Sequence, residues 1–288
     1  MIKRELSSIL TFYAVSPIHA GSGASVATVD LPIQRERHTG YPHIQASGVK
    51  GSLRDHFRKF NETNDEKLIN FIFGSDTQDG WSKYDDSQPG AISVSDAKLL
   101  FFPMRSNVAP FVWVTCPTVM NRLKRDLEYA GISMEETFEV KDDGAQVLKG
   151  DFKGVAKIVL EDALVVVSKE EPIEVDFINN NFSEVDKLLL ISDKMFDYCV
   201  SSCTEIQTNI KIDSKTGTAE DGSLRYQEFL PADSILYSII YYSASSQELQ
   251  AVNIKNYLQT TINSFLQIGG DVTLGKGVCK IKWIDGGK

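Results

Sequence analysis

Ser47-Gly48-Val49-Lys50-Gly51-Ser52-Leu53-Arg54-Asp55-His56-Phe57-Arg58-Lys59-Phe60 is the stretch that decides the fold class. Val49, Leu53, Phe57 and Phe60 recur at helical spacing and form one apolar stripe. Ser47 stands where a helix cap is expected. Lys50, Arg54 and Arg58 repeat at i+4 along the edge of the stripe and are predicted to point together, away from the core. Ahead of this helix, Leu10, Phe12 and Ala14 alternate as in a first strand. Residues 17–44 between them form a long loop rich in Gly and Pro.

Further along, strands are predicted over residues 91–94, 98–103, 111–116, 157–160, 164–168 and 173–175. Helices are predicted over 119–129 and from Ser192-Asp193 through Cys199. Residues 61–89, with one apolar patch at 68–73, and residues 131–180 read as insertions. Ile206, Ile210 and Ile212 lie on alternate spacing, a turn-rich segment covers 214–222, and 224–230 is extended. This is a long hairpin over about 204–230 whose tip has little apolar content and should project. A buried strand at 235–242, an amphipathic helix at 247–267, a glycine loop at 269–277 and a strand at 278–284 complete the chain. The order predicts a single α+β domain. Its simplest form is a ferredoxin-like β-α-β-β-α-β core with insertions and a projecting hairpin.

The 288 residues are 42% hydrophobic and 24% charged, ordinary values for a globular chain. Net charge is −9, which by itself argues against a nucleic-acid partner. The distribution reverses that argument. Residues 1–60 carry eight Lys or Arg against four acids, +4, and the remainder carries 22 against 35, −13. An acidic body with a basic N-terminal quarter suits one focused polyanion-binding face, with chance segregation as the bland alternative. Cys116, Cys199, Cys203 and Cys279 include no CxxC pair, which disfavours zinc and fits a reducing cytoplasm. The N-terminal run is too short and too interrupted for a signal peptide, and no stretch is long enough to span a membrane.

Several motifs carry candidate chemistry. The N-terminus of the 47–60 helix offers unpaired N–H groups to a phosphate, with Gly48 and Gly51 allowing close approach and Lys50, Arg54 and Arg58 extending the cationic track. A solvated helix face is the alternative. The loop Gly269-Gly270-Asp271-Val272-Thr273-Leu274-Gly275-Lys276-Gly277 is neither a Walker A loop nor a dinucleotide turn. It reads as a sharp turn or as a backbone surface for a sugar-phosphate chain with Lys276 as a point charge. Asp30 can hold a divalent ion that bridges a phosphate, or can be a turn aspartate satisfied by nearby N–H groups. His19 and His38 flank the same loop and could do acid–base work on RNA without metal. In Arg35-Glu36-Arg37-His38, Glu36 is expected to orient Arg35 or Arg37 and leave one guanidinium for phosphate; a solvated charge run is the alternative. In the hairpin, Asn209, Lys211, Lys215 and Arg225 could meet RNA, or the whole element could clasp another copy.

Five segments together carry a family resemblance. They are His19-Ala20-Gly21-Ser22-Gly23; residues 29–42 from Val29-Asp30 through Tyr41-Pro42; Ser47 through Arg54; Gly90 through Pro103; and Gln267 through Gly277. This pattern resembles the repeated backbone subunits of type III-B CRISPR (Cmr) effector complexes, members of the RAMP superfamily, over nearly the whole chain. The resemblance implies a ferredoxin-like (RRM-like) palm at about 1–60, 90–120 and 232–288, with a thumb at about 204–230. It implies copies stacked head to tail on CRISPR RNA beside other Cmr subunits. It further implies cleavage of single-stranded target RNA at regular intervals next to each thumb, with a divalent metal, Mg²⁺ or Mn²⁺. The family's cleaving carboxylate falls on Asp30, which would also hold the metal. His19 falls where it would shape the site, and Glu228 near a position where the family often carries an acid. Guide-facing residues fall on Ser47, Lys50, Arg54 and the loop containing Gly269, Gly270, Gly275 and Lys276.

The leading expectation is an RNA-guided, metal-dependent endoribonuclease that leaves 2′,3′-cyclic phosphate and 5′-hydroxyl ends, because RNA supplies its own 2′-OH nucleophile. A purely structural RNA-binding scaffold is one competitor. A metal-independent CRISPR RNA-processing nuclease using His19 or His38 is the other.

Overall fold

In strand β1 (Ser7–Ala14) nearly every side chain is buried, so both of its faces are covered and the alternation seen in sequence is not an inside–outside pattern. A computed structural model describes residues 6–26, 28–61, 65–75, 89–243 and 251–286. β2 (His43–Ile44) leads into helix α1 (Ala46–Phe60), which is followed by α2 (Glu66–Phe73), β3 (Ile92–Val94), β4 (Ala97–Arg105), β5 (Phe111–Thr115) and α3 (Pro117–Tyr129). Next come β6 (Gly144–Lys149), β7 (Lys157–Leu160), β8 (Ala163–Val167), α4 (Asp176–Asn181), β9 (Leu188–Ile191) and α5 (Asp193–Ser202). β10 (Glu205–Asn209), β11 (Arg225–Phe229), β12 (Ile235–Tyr242), α6 (Ala251–Thr261), β13 (Phe265–Gln267) and β14 (Val278–Asp285) close the described chain.

The main sheet runs β13-β14-β1-β12-β4-β5-β9-β6-β8-β7, with β2 on β4 and β3 on β12. Its pairs are antiparallel except β5–β9 and β6–β8, so this is a mixed α/β fold with a large, mostly antiparallel sheet. Ser7 Oγ donates to the carbonyl of Tyr129 at the end of α3, while Ser8 Oγ accepts from Gln259 of α6. Neighbouring strand residues point to opposite faces, so α3 and α6 cover opposite sides of β1. That double cover explains the buried Ser8, whose hydroxyl also meets Asp285 and Tyr242.

Several sequence expectations change. Ser47 is not the cap of α1. The helix starts at Ala46 after Gln45, and Asp96 on the β3–β4 turn accepts the Ala46 N–H at 2.7 Å. Phe60 leaves the apolar stripe: Val49, Leu53 and Phe57 are buried, whereas Phe60 is 64% exposed. The apolar patch at 68–73 is the helix α2, and the rest of the 61–89 insertion lies largely outside the described residues. Residues 173–175 are not a strand; Ile173 instead donates to Val147 beside β6. β6, α4 and β9 were not anticipated. The run 188–191 is buried on all sides and so shows no periodicity to read. The C-terminal helix ends at Thr261, and 265–267 is β13 paired with β14; residues 247–250 lie outside the described set.

β10 and β11 pair in a sheet of their own, with β10 ending at Asn209 and a bridge from Ile212 to Ala219 further out. Ile206, Ile210, Ile212 and Leu224 stay half exposed on this hairpin. At the other end of the chain, Gly277 has φ +73, and a Cβ there would lie 2.0 Å from the Ile268 carbonyl oxygen. Gly277→Ala is therefore expected to cost more than about 1 kcal/mol, read as a lower urea midpoint at unchanged slope.

Candidate nucleic-acid interface

β11 organises the site. One of its edges pairs with β10, and the other receives the long loop 17–44. Leu31 N–H donates to the Tyr226 carbonyl at 3.1 Å, and Glu228 N–H donates to the Leu31 carbonyl at 3.0 Å. Ile18 and Leu230 exchange both backbone bonds at 2.9 Å. The loop is thus stitched along the hairpin base rather than left free.

Asp30 sits at this junction, partly exposed. Its Oδ2 accepts the Tyr226 N–H at 2.7 Å, and its own carbonyl accepts from Ser25 at 2.8 Å. Among the described residues its Oδ1 has no protein partner. His19, from the same loop, packs against β11: Nδ1 is 2.7 Å from the Glu228 carbonyl oxygen, and the ring stands 5.5 Å from Phe229. A carbonyl only accepts, so Nδ1 carries the hydrogen and Nε2 is left open. A Cβ at Gly21 would lie 2.8 Å from that Nε2, so the glycine keeps the nitrogen uncovered.

The glycine loop packs against this histidine. Gly270 N–H donates to the His19 carbonyl at 2.9 Å. Gly269 has φ +87, and a Cβ there would come within 2.6 Å of the same oxygen. Lys276 Nζ lies 4.7 Å above the Phe229 ring. His19, Asp30 and Lys276 therefore meet on β11, Gly269 and Gly270 pack on the His19 backbone, and Gly275 has open space around it in the same loop.

Glu228 is held by the fold. It is buried, and both carboxylate oxygens are occupied: Oε2 by Ile33 N–H at 3.0 Å, Oε1 by Arg35 at 2.5 Å and Thr204 at 2.8 Å. It fastens the loop to the hairpin, with three of its acceptor positions taken by the protein. Arg35 is engaged with it, and its guanidinium also donates to the carbonyls of Gly40 and Val200. Glu36 does not orient Arg35 or Arg37; it pairs with Arg122 of α3 at 2.6 Å and accepts from Thr39. Arg37 and His38 are exposed, and no contact joins His38 to His19 among the described residues. The two-histidine arrangement is not assembled.

The cationic track on α1 is only partly open. Arg54 donates to Asn70 at 2.8 Å and Arg58 pairs with Glu66 at 3.1 Å, both on or beside α2. Lys50 has no counter-charge among the described residues, and burial, reinforced by Arg54, holds its pKa below the ordinary lysine value. Gln34 ties the helix to the loop: it accepts the Gln45 N–H at 2.8 Å and donates to the Gly21 carbonyl at 3.1 Å. In the hairpin, Lys211 pairs with Glu220 at 2.8 Å, whereas Lys215 and Arg225 are exposed. Among the described residues no group of three or more His, Cys, Asp or Glu could hold a metal ion, and no helix is long and apolar enough to cross a membrane. Burial raises the Cys116 and Cys199 thiols and pushes Cys279 up to about 12, which removes them as nucleophiles near neutral pH.

The RAMP superfamily model matches residues 11–280. The chain belongs to the RAMP superfamily. Within it, the chain is 37% identical to the CRISPR system Cmr endoribonuclease Cmr4 of Pyrococcus furiosus over 283 residues, covering 95% of this chain and 94% of that protein. The crystal structure of oligomeric Cmr4 from the same organism superposes with a TM-score of 0.75 at 31% identity, covering 98% of this chain and 100% of that one. A chain in the cryo-EM structure of the type III-B Cmr-beta complex bound to cognate target RNA has the same fold, with TM-score 0.75 at 21% identity over 96% of each chain. This RAMP chain thus shares family and architecture with Cmr4 proteins from end to end.

Proposed function

We propose that this chain is the repeated, CRISPR RNA-binding subunit of a type III-B effector complex and an RNA-guided endoribonuclease that cuts target RNA at Asp30. One observation carries the reading: Asp30 and His19 from the 17–44 loop and Lys276 from the distant glycine loop all contact β11 at the root of the hairpin. The likeness to an endoribonuclease, at 37% identity over nearly the full length, supports the activity. Head-to-tail self-assembly is supported by the similarity to an oligomeric Cmr4. Further Cmr subunits and a cytoplasmic location follow from the same reading.

The strand order β14-β1-β12-β4, with α1 between β1 and β4 and α6 between β12 and β14, supports a ferredoxin-like palm. In this reading β10–β11 is the thumb and the strands β6 to β8 belong to the insertion at about 131–180. Half-exposed isoleucines on the thumb suit contact with bases splayed from a duplex.

Chemically, the 2′-OH of the target attacks the adjacent phosphorus, the bond to the 5′-oxygen breaks, and the ends are 2′,3′-cyclic phosphate and 5′-hydroxyl. The Tyr226 N–H holds one oxygen of Asp30 and leaves the other for the substrate side. A single carboxylate oxygen fits a hard divalent ion that takes its other ligands from water and phosphate, not a protein cage. Such an ion, Mg²⁺ or Mn²⁺ on Asp30, would supply charge stabilisation at the phosphate. His19 Nε2, kept open by Gly21, can exchange a proton or a hydrogen bond with the ribose-phosphate.

On the guide side, Lys50 of the α1 track meets no counter-charge among the described residues. Lys50→Ala is expected to reduce the slope of log affinity against log salt by about 1. Filter binding of guide RNA across a salt series checks this, and an unchanged slope removes Lys50 from the interface. Arg58→Ala should move the slope less, because Glu66 already neutralises Arg58.

A further inference from the structure

Gln227 is a buried amide at the centre of β11. Its Nε2 donates to Asp271 Oδ2 at 2.5 Å, and its Oε1 accepts from Asn209 at 3.2 Å. Asp271 opens the turn of the glycine loop in the left-handed region, φ 58, and its carbonyl accepts from Leu274 at 2.9 Å. The backbone of Gln227 bridges Leu31, next to Asp30, while the preceding residue donates its N–H to the Asp30 carboxylate. One side chain therefore connects three pieces: the glycine loop, the outer hairpin strand and the strand that holds Asp30. A two-stranded hairpin is marginal by itself and takes its orientation from what grips its base.

We propose that Gln227 and Asp271 form a positioning latch that fixes the hairpin and Asp30 relative to the guide-side glycine loop. The inference rests on the proposed function above and adds to it how the cut is registered to the guide. Neither residue touches the reacting atoms in this account. The glycine loop holds guide backbone, and the latch carries that position to β11. When the latch is broken, the loop still binds guide, but the hairpin root gains freedom to rock. Cleavage needs reacting atoms aligned closely, so a small rotation lowers the rate and lets neighbouring phosphates enter the site.

The test uses the full complex reconstituted on guide RNA. Asp271→Gly removes the carboxylate without straining the left-handed backbone, and Asp271→Asn keeps both an acceptor and the backbone preference. Gln227→Met removes the donor from the other side. Single-turnover cleavage at saturating target is expected to fall about tenfold in Asp271→Gly and in Gln227→Met, the loss of one charge-assisted bond. A share of the cuts should shift by one nucleotide, with guide binding and target affinity retained. Asp271→Asn should recover most of the rate and the cut position. The double variant Gln227→Met/Asp271→Gly should be no worse than either single one.

Wild-type rate and unshifted cuts in both single variants would overturn the latch. So would a loss of guide affinity as large as the loss of rate, which would make Asp271 a guide-binding residue. If Asp271→Gly does not assemble, the Gln227→Met result decides alone. Asp30→Asn run alongside separates the two readings: if that complex still cuts, the assignment of Asp30 fails, while the cut-position map still reports on the latch.

Discussion

Glu228→Ala is expected to destabilise the chain by about 3–5 kcal/mol. The change strips the acceptor from the Ile33 N–H and from Thr204 and leaves the Arg35 guanidinium beside a buried gap. Breaking one partner of a largely buried pair costs more than the pair is worth in sum, because two donors lose their acceptor and the guanidinium, a quarter exposed, keeps only the Gly40 and Val200 carbonyls. Chemical unfolding of the isolated chain reads the effect as a lower midpoint. Arg35→Ala should show a loss of the same kind, and the double variant should cost less than the two losses added. A Glu228→Ala chain with a wild-type midpoint and no cleavage would make Glu228 part of the chemistry instead.

Asp30→Asn is expected to lower target cleavage by at least about 10²-fold while assembly on guide RNA is retained. The amide oxygen of asparagine can still accept the Tyr226 N–H, so the loop remains fastened to β11. What disappears is the negative charge on the outward oxygen, the feature a divalent ion or an attacking hydroxyl would use. Native electrophoresis of the assembled complex separates the two effects. Loss of assembly in Asp30→Asn would show a residue whose work is to close the loop onto the hairpin.

Much of the fold was legible because its central elements follow simple rules. Ile235–Tyr242 is a long β-branched and aromatic run, and β12 occupies those residues. The helix expected from Ser192-Asp193 is α5, and Ser192 caps it by accepting the Met195 N–H. Illegible segments were those whose partners come from elsewhere in the chain. β9 is buried all round, β13 is three residues that exist only by pairing with β14, and the cap of α1 comes from Asp96, fifty residues away. The site divides in the same manner. Asp30, His19 and the glycine loop stood out by residue type. Glu228 and Arg35 also stood out, yet they satisfy each other across the fold, and sequence does not reveal which charges meet. Gln34, Gln227 and Asp271 carry no signal in the sequence, because a lone amide or carboxylate in a loop or strand says nothing until its partners are placed.

The most direct measurement is cleavage of a complementary target RNA by the reconstituted complex, wild type beside Asp30→Asn, with and without EDTA. The account expects wild type to cut at regular intervals, to leave 2′,3′-cyclic phosphate ends, to stop in EDTA and to resume with added Mg²⁺. It expects the Asp30→Asn complex to bind the same target and leave it whole. An Asp30→Asn complex that cuts at the wild-type rate would contradict it.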